Sequence, residues 1–137
     1  MTTRQRVLIL CTANSARSQM AEGLLRADQG DRFDVRSAGT RATLVRPEAI
    51  AVLGELGIDI SGHRSKTVDE FAGETFDYVL TVCDNAREAC PYYPGHGKRL
   101  HESFDDPAAE TGDEAARLQA FRRVRDEIRT YLRTFPG

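Results

Sequence analysis

Val7-Leu8-Ile9-Leu10-Cys11-Thr12-Ala13-Asn14-Ser15-Ala16-Arg17-Ser18 is the stretch on which the fold turns. Four consecutive apolar residues, Val7 to Leu10, suit a central parallel strand covered on both faces. From Ser18 to about Ala27 the period changes: Met20, Ala21, Leu24 and Leu25 share one helical stripe, and Gln29-Gly30 supplies the stop. The five residues between Cys11 and Arg17 must therefore curl around a helix N-terminus with their N–H groups directed inward. Such amides, the positive end of the helix dipole and the guanidinium fork of Arg17 make a cradle for a phosphate-sized anion. A cysteine in that field is favoured as its thiolate, so Cys11 reads as a nucleophile. Thr12, Ala13, Asn14, Ser15, Ala16, Arg17 and Ser18 are the expected oxyanion-binding residues. Ser18 is placed to donate a hydrogen bond to the sulfur, and Asn14 tolerates the left-handed backbone that a tight loop requires.

Outward from this stretch, strands and helices alternate. A second strand fits Phe33 to Ser37, a second helix starts at Pro47 and runs to Gly57, and a third strand spans Phe76 to Val82 and delivers Cys83. A weaker fourth strand lies near Arg99 to Phe104. Thr111 and Glu114 have capping-box spacing ahead of a last helix whose Leu118, Phe121, Val124, Ile128, Tyr131, Leu132 and Phe135 form one apolar stripe. The pattern predicts one α/β domain over residues 1–137: a single-domain three-layer sandwich, its four-stranded parallel sheet joined by right-handed crossovers, with helices on both faces. Ligands of such sheets bind beyond the strand C-termini, which brings Cys11 and Cys83 to one edge.

At 137 residues, 40% hydrophobic and 29% charged, the chain is long enough to bury a core of its own. A net charge of -2 with interleaved signs gives no basis for binding nucleic acid or an anionic membrane, so anion specificity must be local. The run Val7 to Leu10 is too short for a signal-peptide core or a membrane span, and a cytoplasmic, monomeric protein is expected. Three cysteines, Cys11, Cys83 and Cys90, are an odd number, which argues against a static disulfide framework. They are either reactive thiols or small buried hydrophobes. His63, His96 and His101 share no metal-ligand spacing with them; hydrogen bonding is their expected role, and no metal is expected. Tyr92 and Tyr93 read as packing residues, with contact to a partner protein as the alternative. Arg122, Arg123, Arg125 and Arg129 read as the solvated face of the last helix, alternating with Asp126 and Glu127.

Cys11 to Glu22, read as CTANSARSQMAE, resembles the signature of the low-molecular-weight protein tyrosine phosphatase superfamily, and within it that of the arsenate reductases. Cys83-Asp84-Asn85-Ala86-Arg87-Glu88-Ala89-Cys90-Pro91 is similar to the redox segment of the thioredoxin-coupled members, and Phe104-Asp105-Asp106-Pro107-Ala108 to their acid loop. Arg36-Ser37-Ala38-Gly39 and Gly57-Ile58-Asp59-Ile60-Ser61 extend the likeness, which runs from residue 7 to about residue 130. The resemblance implies a low-molecular-weight phosphatase-like fold and reduction of arsenate to arsenite, with phosphate as an analogue, thioredoxin as electron donor and no cofactor. It implies Cys11, Cys83, Cys90, Arg17 and Asp106 as catalytic residues. Relatives often carry a cysteine at the position of Ala16 and a glycine at that of Ala13. Many hold potassium through positions matching Asn14, Glu22 and Ser37 together with an aspartate, where this chain has Lys66; the Lys66 ammonium is expected to stand in for that cation.

If residues 83–90 are helical when reduced, a seven-residue separation sets their Cα atoms about 10.5 Å apart at ~1.5 Å per residue. A disulfide spans at most ~7 Å, so the segment is expected to unwind on oxidation. Two other readings stay open. A tyrosine phosphatase would share Cys11, Arg17 and Asp106 but leave Cys83 and Cys90 without a role, and it usually has an aromatic residue where Ala108 stands. A non-catalytic arsenite binder would use the three thiols without Arg17 or Asp106.

Overall fold

The computed structural model describes residues 4–84, 92–95 and 97–136. Four strands, β1 (Gln5–Cys11), β2 (Phe33–Gly39), β3 (Tyr78–Thr81) and β4 (Lys98–His101), form one sheet in the order β2-β1-β3-β4, parallel throughout. The helices are α1 (Arg17–Gln29), α2 (Pro47–Gly54) and α3 (Glu114–Leu132), with two short 3-10 helices at Val68–Phe71 and Pro107–Ala109. The predicted α/β parallel sheet is thus present, with helix boundaries within a few residues of expectation.

β1 is central because its residues are apolar on both sides. Val7 and Ile9 belong to the large core packed by all three α-helices, whereas Leu8 and Leu10 face a smaller cluster with Ala38, Phe71, Phe76, Val79 and Tyr93. Helical turns therefore cover both faces: α1, α2 and α3 lie over one, and the 3-10 helix ending at Phe71 lies over the other. The predicted stripes on α1 and α3 are core: Met20, Leu24, Leu25, Phe121, Val124 and Ile128 are all fully buried.

Three local readings change. Asp113, not Thr111, caps α3, its carboxylate accepting from Ala116 N–H at 2.9 Å. Asp113 lies directly before the first helical residue, so its carboxylate both accepts the orphan amide and meets the positive helix end. The helix begun at Pro47 stops at Gly54; the chain then turns through Gly57, whose φ of +76° suits glycine, and Ile58 N–H returns to Leu53 O at 3.0 Å. The arginines of α3 are not simply a solvated face. Arg125 is buried, donating to Val52 O and Glu55 Oε1, both at 2.8 Å. Arg122 pairs with Glu55, Arg123 with Asp105 and Glu127, and Arg129 with Asp28. Exposed pairs of this kind contribute little individually, but those of Arg122 and Arg125 tie α3 to the end of α2.

From β1 the chain moves to β2 on one side and then crosses to β3 on the other. The topological switch point therefore falls between β1 and β3, where a crevice opens beyond the strand C-termini. Cys11 ends β1 and Cys83 follows β3 by two residues.

Candidate active site

The residues 12–16 wrap the start of α1 as expected. Their carbonyl groups turn away from the centre and are held by donors from neighbouring loops. Thr12 O accepts from Thr40 N–H (2.8 Å) and Arg41 N–H (3.2 Å), and Ser15 O from Arg46 N–H (2.9 Å). Ala13 O accepts from the Ser65 hydroxyl (2.9 Å), and Asn14 O from Gln19 Nε2 (3.1 Å). With their oxygens pinned outward, the loop peptides present N–H groups toward the inside, the geometry of an anion nest. Asn14 takes the predicted left-handed conformation, φ +48°. Gly39, paired across the sheet with Cys11, lets the loop lie against β2: a Cβ there would meet Thr12 O at 2.6 Å and Asn14 N at 2.8 Å.

Behind the loop lies a polarised hydrogen-bond network. Asn14 Nδ2 donates to Ser18 Oγ (2.7 Å) and Ser37 Oγ (3.0 Å), while Oδ1 accepts from Gln19 Nε2 (2.9 Å) and Lys66 N–H (2.9 Å). Ser18 Oγ, already accepting from Asn14, sits 2.9 Å from Cys11 Sγ and can turn its hydrogen to the sulfur. Ser37 Oγ donates to Glu22 Oε1, and Glu22 Oε2 accepts from Arg26 Nη2 (2.6 Å). Lys66 Nζ lies 3.9 Å from Glu22 Oε1 and donates to Arg64 O at 3.2 Å. Burial lowers the Lys66 pKa, an effect that Glu22 partly opposes. His63 completes the cluster: Nδ1–H donates to Gln19 Oε1 (3.0 Å), which leaves Nε2 to accept from Arg26 (3.0 Å). Burial likewise pushes the His63 pKa down, with Glu22 opposing and Arg26 and Lys66 adding to the shift. Hydrogen bonding, the role expected of His63, is the role it has.

In front of the loop a cavity of about 640 Å³ is lined by Cys11, Thr12, Ala13, Ser15, Ala16 and Arg17, and by Asp84, Asp105, Asp106 and Pro107 from the facing loops. Arg17 is buried, donates to Phe104 O at 3.2 Å and has Nη2 4.0 Å from Asp106 Oδ2. Asp106 caps the 3-10 helix begun by Pro107, Oδ1 accepting from Ala108 N–H at 3.0 Å, so its position is fixed although its side chain stays open to the cavity. Cys11, Arg17 and Asp106 thus come together. Asn14 and Ser18 do not line the cavity; their side chains buttress the loop from behind. Cys83 is fully buried at the same sheet edge, in the core cluster that contains Cys11. Cys83 is disulfide-bonded, whereas Cys11 is a free thiol. Cys90 and the anticipated unwinding of the segment after Asp84 lie outside the described residues, as does His96. Tyr93 is buried and packs edge-on against Phe76, whereas Tyr92 is exposed and carries Arg99 over its ring.

Arg41, at the cavity mouth, and the grouping of Gln19, Arg26 and His63 around Glu22 were not legible, although Glu22 itself was marked by the resemblance as a cation-site position. Gln19, Glu22 and Arg26 lie along one helix at spacings of three and four, the available signal that they share a face.

A parallel α/β sheet with a cysteine-to-arginine oxyanion loop at its switch point and an aspartate facing the loop defines a class of thiol-dependent oxyanion enzymes. The chain belongs to the low molecular weight phosphotyrosine protein phosphatase family, which matches residues 6–136. It is 45% identical to an arsenate reductase of Halalkalibacterium halodurans, over 94% of this chain and 93% of that one. Among solved structures, the arsenate reductase of Archaeoglobus fulgidus superposes with a TM-score of 0.78 at 29% identity, covering 93% of this chain and 95% of that one. A thioredoxin-dependent arsenate reductase of Corynebacterium glutamicum gives 0.67 at 29% identity, covering 95% of this chain and 61% of that one.

Proposed function

We propose that this protein reduces arsenate to arsenite by a relay of three thiols, Cys11, Cys83 and Cys90, with thioredoxin as the electron donor, in arsenic detoxification in the cytoplasm. Arsenate is held by the loop amides and Arg17. The Cys11 thiolate attacks arsenic and forms an S–As bond; Asp106 gives a proton to the departing hydroxide, which leaves as water. The Cys83 thiolate then attacks the Cys11 sulfur. The S–As electron pair passes to arsenic, arsenite leaves, and a Cys11–Cys83 disulfide remains. Cys90 attacks Cys83, releasing Cys11 as thiolate. Thioredoxin restores the dithiol.

The observation that carries this reading is a second cysteine, Cys83, placed at the sheet edge beside an oxyanion loop and engaged in a disulfide while Cys11 is free. The names of the relatives and the thioredoxin dependence of the Corynebacterium glutamicum protein support it. Ala108 and a cavity without an aromatic wall among the described residues disfavour a dedicated tyrosine phosphatase, although slow ester hydrolysis by Cys11, Arg17 and Asp106 is expected.

The test is arsenate-dependent NADPH oxidation in the presence of thioredoxin and its reductase. Wild type should turn over repeatedly. Cys83→Ser and Cys90→Ser should lose multiple turnover, and Asp106→Asn should slow it by about 10²-fold or more. A protein that never consumes NADPH yet hydrolyses phosphate esters would be a phosphatase. One that binds arsenite through its thiols and is indifferent to Asp106→Asn would be a binder.

A further inference from the structure

The cavity in front of Cys11 is larger than a tetrahedral oxyanion requires, and acidic side chains stand on its rim. Among the described residues, the carboxyl groups of Asp84, Asp105, Asp106 and Glu110 line it beside the guanidiniums of Arg17, Arg41 and Arg123. A dianion approaching Cys11 therefore passes acidic side chains on its way to the loop.

Two of the three arginines are already engaged. Arg17 is buried at the base, donating to Phe104 O and lying near Asp106. Arg123 is held between Asp105 (3.3 Å) and Glu127 (3.0 Å). Arg41 differs: its side chain is exposed at the cavity, and among the described residues its guanidinium makes neither a hydrogen bond nor an ion pair. Its backbone is nonetheless anchored, because Arg41 N–H and the adjacent Thr40 N–H both donate to Thr12 O, a carbonyl of the oxyanion loop itself. The end of β2 therefore fixes an uncompensated cation beside the loop, while its long side chain remains able to reach into the mouth.

We propose that Arg41 is a capture residue for the oxyanion, a specificity-determining cation that draws a tetrahedral dianion past the acidic rim and hands it to the loop amides and Arg17. Charge on the wall of a low-dielectric cleft focuses the field and raises the local concentration of the opposite charge. Because Arg41 is exposed, its contribution is screened by salt, whereas that of buried Arg17 is not. Singly charged or neutral competitors gain less from it than a dianion does.

This inference rests on the oxyanion-loop reading, and the experiment separates the two. The rate at which iodoacetamide alkylates Cys11, followed on the tryptic peptide that contains it, is measured in the full-length protein against increasing inorganic phosphate. Wild type should be protected. In Arg41→Gln the half-protecting phosphate concentration should rise about 3- to 10-fold at ~20 mM ionic strength, and the difference should shrink to roughly twofold or less at ~0.5 M. Arg41→Lys should restore most of the loss. Arg36→Gln, which removes an exposed arginine of β2 that pairs with Asp34 outside the cavity, should behave as wild type. Equal half-protection in wild type and Arg41→Gln at low salt would overturn the role of Arg41 and leave the loop reading standing. So would a defect undiminished by salt or unrescued by lysine, since either marks packing, not charge. Absence of phosphate protection in wild type would overturn the oxyanion site itself, and the Arg41 proposal with it.

Discussion

Asn14 holds the oxyanion loop through both polar atoms of its side chain. Its amide donates to Ser18 and Ser37 and its carbonyl oxygen accepts from Gln19 and from the backbone of Lys66; Asn14, Ser18, Ser37 and Gln19 are fully buried. The left-handed backbone at φ +48° is tolerated by asparagine and glycine and penalised for alanine. Two substitutions therefore separate the contributions. Asn14→Gly keeps the backbone but removes one hydrogen bond from each of Ser18, Ser37, Gln19 and Lys66, and should cost about 2–4 kcal/mol. Asn14→Ala should cost ~1 kcal/mol more. Urea unfolding of the two variants checks this: equal stability would mean that the backbone conformation carries no penalty. Asparagine was legible as a loop residue suited to positive φ. The resemblance grouped it with Ser37 and Lys66, 23 and 52 positions away, as a cation site; that its amide holds them by direct hydrogen bonds was not legible, since no local pattern fixes those contacts.

At the scale of elements, capping shows how much local chemistry can decide. Thr111 and Glu114 have the spacing of a reciprocal box, but the helix begins at Glu114 and Asp113 supplies the cap. Asp113→Ala should destabilise the protein by about 1 kcal/mol, whereas Thr111→Ala should stay within ~0.5 kcal/mol. Thermal or denaturant midpoints of the pair decide between the two caps. The choice was hidden because threonine and aspartate both cap well. Which one wins depends on where α3 must start for Phe121, Val124 and Ile128 to reach the core. β1 presented no such ambiguity: a four-residue apolar run can be buried on both faces only at the centre of a sheet.

At the scale of the whole molecule, the cluster behind the loop couples stability to pH. His63 faces Gln19, Glu22, Arg26 and Lys66, with Asp59 nearby, and burial holds its pKa below the ordinary value of 6.5. Its Nε2 accepts from Arg26, so protonation would set a new N–H against that guanidinium. As pH falls through the unfolded value toward the lower folded one, the unfolded chain binds the proton first and stability drops; below the folded value this group adds no further change. Glu55 and Glu70, whose pKa values are lowered by hydrogen bonds to Arg122 and Arg64 respectively, lose their contribution only below about pH 4.5. The urea midpoint should therefore fall between about pH 7.5 and 5.5 in wild type and fall less in His63→Gln. Identical pH slopes in the two proteins would remove His63 as the cause.

The sequence by itself determined the strand-to-helix passage from Val7 to Leu25, the cysteine and arginine at the ends of its loop, the parallel α/β class and the apolar stripe of α3. These follow from period, burial and the geometry of a helix start, all of which act over neighbouring residues. Only the tertiary structure decided which side chains stand in front of the loop and which behind it. Asn14 and Ser18 turn inward as supports because Ser37 and Lys66 arrive from other elements to meet Asn14. Asp106 faces Arg17, and Arg41 reaches the cavity mouth, because β2 and the loops beyond the strands converge at the switch point between β1 and β3. Such juxtapositions depend on sheet order and register, to which residues far apart in the chain contribute jointly and which no local pattern contains.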